Sequence, residues 1–150
     1  MDLILWRHAD AEPHGAAPDL QRALTAKGET QAATMAAWLA ARLDPAARVL
    51  ASPARRCQQT AQALGRPIAT VDAIAPDRPA RHVLEAAGWP EGDGTVVVCG
   101  HQPTMGLAAS LALTGKADGW SVRKAGVWWL RRDASGGEVE LVAVQVPALL

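Results

Sequence analysis

The stretch that decides the fold is the first ten residues, Met1-Asp-Leu-Ile-Leu-Trp-Arg-His-Ala-Asp10, in which an apolar run from Leu3 to Trp6 stops abruptly at Arg7 and His8. A short apolar run that ends at polar residues is typical of a buried strand in a parallel sheet. Arg7 and His8 would then lie at the carboxyl end of the strand, the edge where open α/β sheets bind ligands. Taken alone, the pair is equally compatible with an arginine that solvates the strand end and an incidental histidine.

Length and composition limit the function classes that the chain can belong to. A sequence of 150 residues predicts one domain, spanning residues 1–150. Fifteen basic side chains balance fifteen acidic ones, so the formal net charge is zero and no general affinity for nucleic acid or membrane surfaces is expected. The two cysteines, Cys57 and Cys99, lack metal-ligand spacing and are predicted to be reduced core thiols. Without a signal peptide or an apolar run of ~20 residues, the sequence predicts a cytoplasmic protein.

Helix and strand signals alternate along the first half of the chain. Pro13, Gly15 and Pro18 mark the segment 10–23 as a loop. Thr25 is a good N-cap for a helix that runs to about Leu43 and packs an apolar stripe against the sheet. A second strand follows at 48–51. Ser52 as N-cap and Pro53 as first helical residue then predict a helix over 53–64.

The second half continues the alternation and ends differently. A third strand is predicted at 67–71, and a third helix starts at Asp77-Arg-Pro79 and ends near Gly88. Residues 95–100, Thr-Val-Val-Val-Cys-Gly, form the clearest buried strand of the chain. The following helix runs from Pro103 to Leu113, with Gly115 as its C-cap. Residues 126–132 and 139–146 read as a hairpin. This order predicts an α/β fold: a single three-layer α/β/α domain whose mostly parallel central sheet carries a C-terminal β-hairpin.

Three predicted strand ends carry the residues that suggest chemistry. They are Arg7-His8, Ser52-Pro53 with Arg56 four residues after the serine, and Gly100-His101. Parallel strands would bring these ends to one edge of the sheet, where two arginines and two histidines form a site for a dianion such as phosphate. Arg55 and Arg56 lie near a helix amino end, where cations are disfavoured, and this suggests that an anion offsets the cost. No acidic cage for a metal is visible, so protein cations are predicted to neutralise the phosphate without metal or cofactor.

At this point the sequence resembles a known family. Arg7-His8-Ala9, Arg22-x-Leu24-Thr25-x-x-Gly28, the segment 52–60 (Ser-Pro-Ala-Arg-Arg-Cys-Gln-Gln-Thr) and Gly100-His101-x-Pro103 follow the order of the histidine phosphatase (phosphoglycerate mutase-like) superfamily. The small size and the Arg22-x-Leu24-Thr25 phrase look most like the SixA branch of phosphohistidine phosphatases. The resemblance covers nearly the whole chain, and four motifs in the right order are specific although each alone is weak.

The resemblance implies a role for each matching residue. His8 would be the nucleophile that forms a phosphohistidine intermediate, and Arg7, Arg56 and His101 would bind the transferring phosphoryl group. Arg22 matches a phrase of the SixA-like branch and would be a further phosphate contact. Glycine is common in the wider family at the position of Ala9.

The general acid of larger relatives has no certain counterpart in this chain. Asp72, Asp77 and Glu85 lie in the corresponding region. Asp77 is the candidate for this acid, but it is equally suited to be a helix N-cap. Asp10 and Glu12 are interpreted as loop charges, and His14 and His82 as exposed side chains without a functional partner.

The expected function is therefore a metal-independent phosphatase that acts through a covalent phosphohistidine on His8. A weak or absent acid favours a leaving group that departs already protonated, such as the imidazole of a phosphohistidine on a partner protein. A small-molecule phosphomonoesterase of the same mechanism is the first alternative. A non-catalytic phosphate-binding module is an alternative of another class, although binding alone would not need two histidines at strand ends. No nucleic acid or membrane is expected as a partner.

Overall fold

A six-stranded mixed sheet forms the centre of the protein, whose 150 residues are all described by the computed structural model. The strand order is β3-β2-β4-β1-β5-β6. The strands are β1 (Asp2–Arg7), β2 (Arg48–Ala51), β3 (Ala69–Thr70), β4 (Thr95–Gly100), β5 (Val127–Arg132) and β6 (Val139–Gln145). The first four strands are mutually parallel, whereas β5 runs antiparallel to β1 and pairs with β6 as a hairpin. The predicted α/β fold with a mostly parallel sheet and a C-terminal hairpin is confirmed.

Two pairs of helices cover the two faces of this sheet. They are α1 (Ala26–Ala40), α2 (Arg55–Gln62), α3 (Arg81–Ala87) and α4 (Thr104–Thr114). One apolar cluster joins the first face to residues of α1 and α2, and a second cluster joins the other face to residues of α3 and α4. The result is the predicted three-layer α/β/α arrangement.

Strand β1 lies between β4 and β5 because its side chains are apolar on both faces. Leu3, Ile4, Leu5 and Trp6 are all fully buried. Ile4 and Trp6 pack toward α1 and α2, while Leu3 and Leu5 pack toward α3 and α4. A strand with such a pattern has no face for solvent, so it takes a central position in the sheet.

Two predicted helix boundaries near the first motifs are wrong by a few residues. Helix α1 is capped by Thr25, whose Oγ1 accepts a hydrogen bond from the amide of Gly28 at 3.0 Å, but it ends at Ala40 rather than near Leu43. Ser52 is not an N-cap of α2, because Ala54 holds that position and the helix begins at Arg55. The Ser52 hydroxyl instead accepts from the amide of Ala54 at 3.2 Å, which places Pro53 in a turn before the helix.

The region between β2 and β4 is less regular than predicted. The third strand is reduced to Ala69–Thr70 at the sheet edge, where both residues are exposed. Helix α3 begins only at Arg81, since Asp77 has a left-handed φ of 65° that excludes it from a helix start. The interpretation of Asp77 as a helix N-cap is therefore wrong.

The remaining predicted elements match closely. Strand β4 occupies residues 95–100, as the β-branched run indicates. Helix α4 follows Pro103 and ends at Gly115, which has a left-handed φ of 76°. Both cysteines are buried and free. None of the helices combines the length and the hydropathy that crossing a membrane requires.

Candidate active site

The two histidine-bearing strand ends are neighbours in the sheet. Arg7 at the end of β1 pairs in register with Gly100 at the end of β4. The amide of His8 donates a hydrogen bond to the Gly100 carbonyl at 3.0 Å, and the rings of His8 and His101 lie 5.4 Å apart between centroids. The convergence that the parallel-strand argument predicted is thus present in the structure.

An open, largely polar cavity of about 920 Å³ lies at this edge of the sheet. It is lined by every residue that the sequence singled out for the site: Arg7, His8, Arg22, Arg56, Asp77 and His101. The cavity therefore gathers residues from five separate segments of the chain. Their chemical types, three arginines and two histidines beside one carboxylate, suit an anionic ligand.

The ring of His8 is held with one nitrogen occupied and the other free. Its Nδ1 lies 2.8 Å from the backbone oxygen of Ala9, so Nδ1–H donates and Nε2 carries the lone pair. Burial lowers the pKa of His8 from its ordinary 6.5 to about 3; the hydrogen bond to Ala9 opposes this shift, and the positive charges of Arg56 and Arg7 reinforce it. His8 is therefore a neutral imidazole with an available Nε2 at neutral pH.

Helix α2 fixes the backbone turn that carries His8. The amide of Ala9 donates to Thr60 Oγ1 at 3.1 Å, and the Thr60 hydroxyl donates to the carbonyl oxygen of Arg56 at 2.7 Å. Ala9 is fully buried, which explains why only a small residue is accommodated after His8. The motif of residues 52–60 thus positions the Arg7-His8-Ala9 motif.

Two arginines present buried donor atoms that have no protein partner. Arg7 Nη1 donates to the carbonyl oxygen of Val122 at 2.8 Å, and Arg56 Nη1 donates to that of Asp19 at 2.7 Å. The Nε atoms of both side chains are buried and make no hydrogen bond within the protein. A buried, unpaired guanidinium N–H is costly, and an oxyanion in the cavity would supply the missing acceptor.

His101 is buried and held by three side chains. Its Nε2 lies 2.8 Å from Ser52 Oγ and 3.5 Å from Cys57 Sγ, while Arg56 Nη2 lies 3.3 Å from Nδ1. Because an arginine can only donate, Nδ1 is the acceptor in this contact and Nε2 carries the hydrogen of a neutral ring. The Ser52 hydroxyl accepts that hydrogen, which fixes the ring between β2 and α2.

Asp19 connects Arg22 and Arg56. Its carboxylate lies 3.2 Å from Arg56 Nη2 and 3.1 Å from Arg22 Nε. Partial burial raises the pKa of Asp19, but the charge of Arg56 and the hydrogen bonds from Arg22 and Arg56 outweigh this effect and leave the pKa below its ordinary value. Asp19 stays ionised and orients both guanidinium groups. Arg22 is buried and also donates to the Glu12 carbonyl oxygen at 2.6 Å.

The motif Arg22-x-Leu24-Thr25-x-x-Gly28 packs against Asp10, and this contact explains its threonine and its glycine. The Thr25 amide donates to the Asp10 carbonyl oxygen at 3.0 Å, and the Thr25 hydroxyl donates to Asp10 Oδ2 at 2.8 Å. A Cβ at Gly28 would collide with that same carbonyl oxygen. The amide of Leu24 donates to Gln59 Oε1 at 2.8 Å, which ties the motif to α2. These residues shape the turn behind His8, and only Arg22 among them lines the cavity.

The carboxylates that line the cavity differ in their partners. Asp19 is bound by arginines, and Glu12 Oε2 accepts from the Ala23 amide at 3.4 Å. Asp77 is exposed and its side chain has no hydrogen bond or ion pair. No group of three or more histidine, cysteine or carboxylate side chains is arranged to hold a metal ion.

Sequence reasoning missed three residues of this region. The sequence pattern places Asp19 in a loop and assigns it no role. Asp19 lies three residues before Arg22, however, and this spacing permits the ion pair between them. Cys57 was assigned to the core, and the pattern gave no signal that its thiol contacts His101. His14 was correctly read as exposed, with its side chain 85% accessible, but it lines the cavity. His82 is only half-exposed, because its Nδ1 lies 3.0 Å from the Ala73 carbonyl oxygen.

The α/β fold and the cationic cavity together suit a protein that binds a phosphoryl group, and comparison with known sequences identifies its family. The profile of the histidine phosphatase superfamily (branch 1) matches residues 3–78, which include the motifs of Arg7, Arg22 and Arg56. The chain belongs to the histidine phosphatase superfamily, and it is a phosphatase. A comparison with curated proteins finds no match.

Solved structures extend the similarity over the whole chain. A candidate SixA phosphohistidine phosphatase from Agrobacterium tumefaciens is 27% identical, with 97% of both chains covered and a TM-score of 0.79. One from Nakamurella multipartitia is 31% identical, covers 97% of this chain and 95% of its own, and has a TM-score of 0.72. The protein histidine phosphatase SixA in complex with tungstate shares the fold at 23% identity, 99% coverage of both chains and a TM-score of 0.80. The predicted phosphoglycerate mutase-like, SixA-type fold is confirmed.

Proposed function

We propose that this phosphatase removes phosphate from phosphohistidine on a partner protein, without metal, through a covalent phosphohistidine on His8. The observation that carries the proposal is the state of the His8 ring. Its Nδ1 hydrogen is bound by the Ala9 carbonyl oxygen, and a pKa of about 3 keeps Nε2 unprotonated beside Arg7 and Arg56. A neutral, oriented imidazole in a cationic cavity is suited to attack phosphorus.

The reaction follows from this geometry in two displacements. His8 Nε2 forms a bond to phosphorus while the bond from phosphorus to the leaving nitrogen breaks, and the leaving imidazole departs with its own ring proton. Water then attacks the phosphorylated His8, which restores the free imidazole and releases inorganic phosphate. Arg7 and Arg56 bind the equatorial oxygens, on which charge accumulates in both steps, and His101 contacts the Arg56 guanidinium beside them. Arg22, which Asp19 orients, lines the same cavity and adds a further cation.

The leaving group is the reason for preferring phosphohistidine. Two of the three cavity carboxylates, Asp19 and Glu12, accept hydrogen bonds and are poorly placed to deliver a proton. An imidazole leaving group requires no such proton, whereas an alcohol does. The names of the Agrobacterium and Nakamurella relatives point to the same substrate class.

A small phosphomonoester is the second candidate substrate. Asp77 favours it, since this carboxylate lines the cavity without a partner and would be free to act as a general acid. The cavity of about 920 Å³ also has room for a small organic phosphate. The third possibility raised by the sequence, a non-catalytic phosphate-binding module, is set aside by membership in a phosphatase family.

A substrate panel separates the two candidates. The purified protein would be assayed in EDTA against a phosphohistidine protein, a phosphohistidine peptide and a set of alkyl phosphates, with phosphate release as the readout. The proposal predicts that kcat/KM is highest for the phosphohistidine substrates and that EDTA leaves it unchanged. A higher kcat/KM for any alkyl phosphate, or activity that returns only with added Mg²⁺, would contradict it.

A further inference from the structure

A second polar cavity adjoins the catalytic one and has no role in the chemistry described so far. We call it the basic groove; it has a volume of about 850 Å³ and lies between the exposed side of α1, the loop 121–124 and the residues 146–148. Arg7 and Lys124 line both cavities. The groove is therefore a continuation of the catalytic cavity past the strand end that carries the nucleophile.

All the charged side chains that line the basic groove are positive. Arg7, Lys27, Arg123 and Lys124 line it, and no carboxylate does. Lys124 pairs with Asp10 at 2.5 Å, whereas Lys27 and Arg123 are exposed and have no ion pair. In a chain of zero formal net charge, this is a local concentration of cations rather than a property of the whole surface.

The other side chains of the groove supply neutral hydrogen-bonding groups. Thr30, Gln31 and Thr34 come from α1 and Ser121 from the opposite loop. Hydroxyl and amide groups beside cations suit a ligand with several carboxylates, because they satisfy the oxygens that the cations leave unpaired. The groove is nearly as large as the catalytic cavity, so a single phosphate group would leave most of it empty.

We propose that the basic groove docks a carboxylate-rich surface next to the phosphorylated histidine of the partner protein. This inference rests on the proposed function and adds the chemistry of the partner. The phosphohistidine would enter the catalytic cavity while neighbouring Asp and Glu side chains lie along Lys27 and Arg123. Such complementary charge raises the association rate and selects partners, and it acts over a Debye length of ~8 Å at physiological salt.

Two phosphohistidine peptides of equal length test the proposal, one with glutamates on both sides of the phosphohistidine and one with glutamines. The variants are Lys27→Glu and Arg123→Glu, which alter the groove and no residue of the catalytic cavity. Lys116→Glu is the matched control, since Lys116 is exposed and lies beyond the far end of α4, on the opposite face of the sheet. Para-nitrophenyl phosphate, which carries no carboxylate for Lys27 or Arg123 to bind, reports the basal activity.

The wild type is expected to prefer the glutamate peptide by about tenfold in kcat/KM at low salt, and the preference should shrink as salt rises. Each groove variant should reduce the preference severalfold while leaving para-nitrophenyl phosphate hydrolysis unchanged, and Lys116→Glu should keep it. Equal rates on both peptides, or a preference that survives in Lys27→Glu and Arg123→Glu, would overturn the docking assignment. If the wild type cleaves para-nitrophenyl phosphate but neither peptide, the proposed function itself fails, and the partner assignment with it.

Discussion

The Nε2 atom of His101 lies 2.8 Å from the Oγ atom of Ser52, so the serine of the second motif orients the histidine of the last one. Both residues are buried, and Arg56 occupies the other ring nitrogen. The ring of His101 therefore has one orientation and one tautomer. Ser52, four residues before Arg56, is therefore a residue that positions His101 and not the helix cap that its sequence context suggests.

Replacement of Ser52 by alanine should lower both stability and turnover. The buried Nε2–H of His101 would lose its acceptor, which costs about 1–3 kcal/mol in the free energy of unfolding. The turnover number should fall because His101 would no longer be held beside the phosphoryl group. Urea unfolding and steady-state kinetics measure the two effects, with Ser135→Ala in the exposed hairpin turn as the control. Unchanged stability in Ser52→Ala would show that the hydrogen bond contributes nothing.

The covalent intermediate predicts that His8→Ala abolishes turnover and leaves the fold intact. The two other histidines of the cavity cannot take its place, because both ring nitrogens of His101 are engaged by Arg56 and Ser52 and the side chain of His14 is 85% exposed. Labelled substrate and a brief quench that avoids acid should trap phosphate on His8 of the wild type, and mass spectrometry of the digested protein locates it. The variant His82→Ala should still form the phosphoenzyme. Label on a serine or an aspartate would move the nucleophile to another residue.

Loss of Arg56 should damage catalysis far more than loss of Arg55. Arg56 is buried and contacts both Asp19 and His101, whereas Arg55 is exposed. Adjacent helical residues differ by about 100° in direction, so only one of the two faces the cavity. Arg56→Ala should lower kcat by roughly 10²–10³, the scale for one donor to a developing oxyanion, and Arg55→Ala should change it little. Equal losses on para-nitrophenyl phosphate would contradict this assignment.

The depressed pKa of His8 makes a prediction about stability and pH. In the unfolded chain the ring titrates near 6.5, whereas in the native protein its pKa is about 3. Between these values the unfolded state binds more protons, so the free energy of unfolding falls as the pH drops from about 7 toward 4. The variant His8→Asn lacks this contribution and should lose less stability over the same interval. Urea unfolding of the wild type and of His8→Asn at the two ends of this pH interval measures the difference. An equal loss in the free energy of unfolding for both proteins would contradict the depressed pKa of His8.

Asp77 is expected to matter only for substrates with a poor leaving group. As a general acid it would protonate an alkoxide, so Asp77→Asn should lower kcat for glycerol phosphate by about 10²-fold. Para-nitrophenolate and imidazole need no acid, and their release should be unaffected. Asp72→Asn, a nearby exposed carboxylate, serves as the control. A uniform loss on all substrates would assign Asp77 an electrostatic role instead.

The strands and the residues of the cavity could be predicted because they depend on local patterns. The apolar runs at 3–6 and 96–99 leave no polar face, and this alone places β1 and β4 in the interior of a parallel sheet. Once both strands are parallel, His8 and His101 must end at the same edge. Thr25 and Gly115 are equally local signals, since a cap depends on its immediate neighbours.

The parts that could not be predicted depend on contacts between distant segments. Ser52 has the sequence of an N-cap, but its hydroxyl is engaged by His101, 49 residues away, and α2 begins later. Asp19 acquires its role only when Arg56, 37 residues later, folds over it. Asp77 adopts a left-handed backbone that a propensity argument assigns to glycine. Such positions are set by tertiary structure, which no local pattern encodes.

The central position of β1 determines when the nucleophile becomes competent during synthesis. Residues 2–7 are synthesised before their partners in the sheet, which are residues 95–100 on one side and 127–131 on the other. Pairing across such separations is slow because the loop-closure entropy is lost before any contact forms. The apolar β1 strand therefore stays unpaired until most of the chain has emerged, and the same late step brings His8 beside His101. Substitutions that weaken the pairing of β1 with β5 should lower the yield of active enzyme before they alter the chemistry of the molecules that fold.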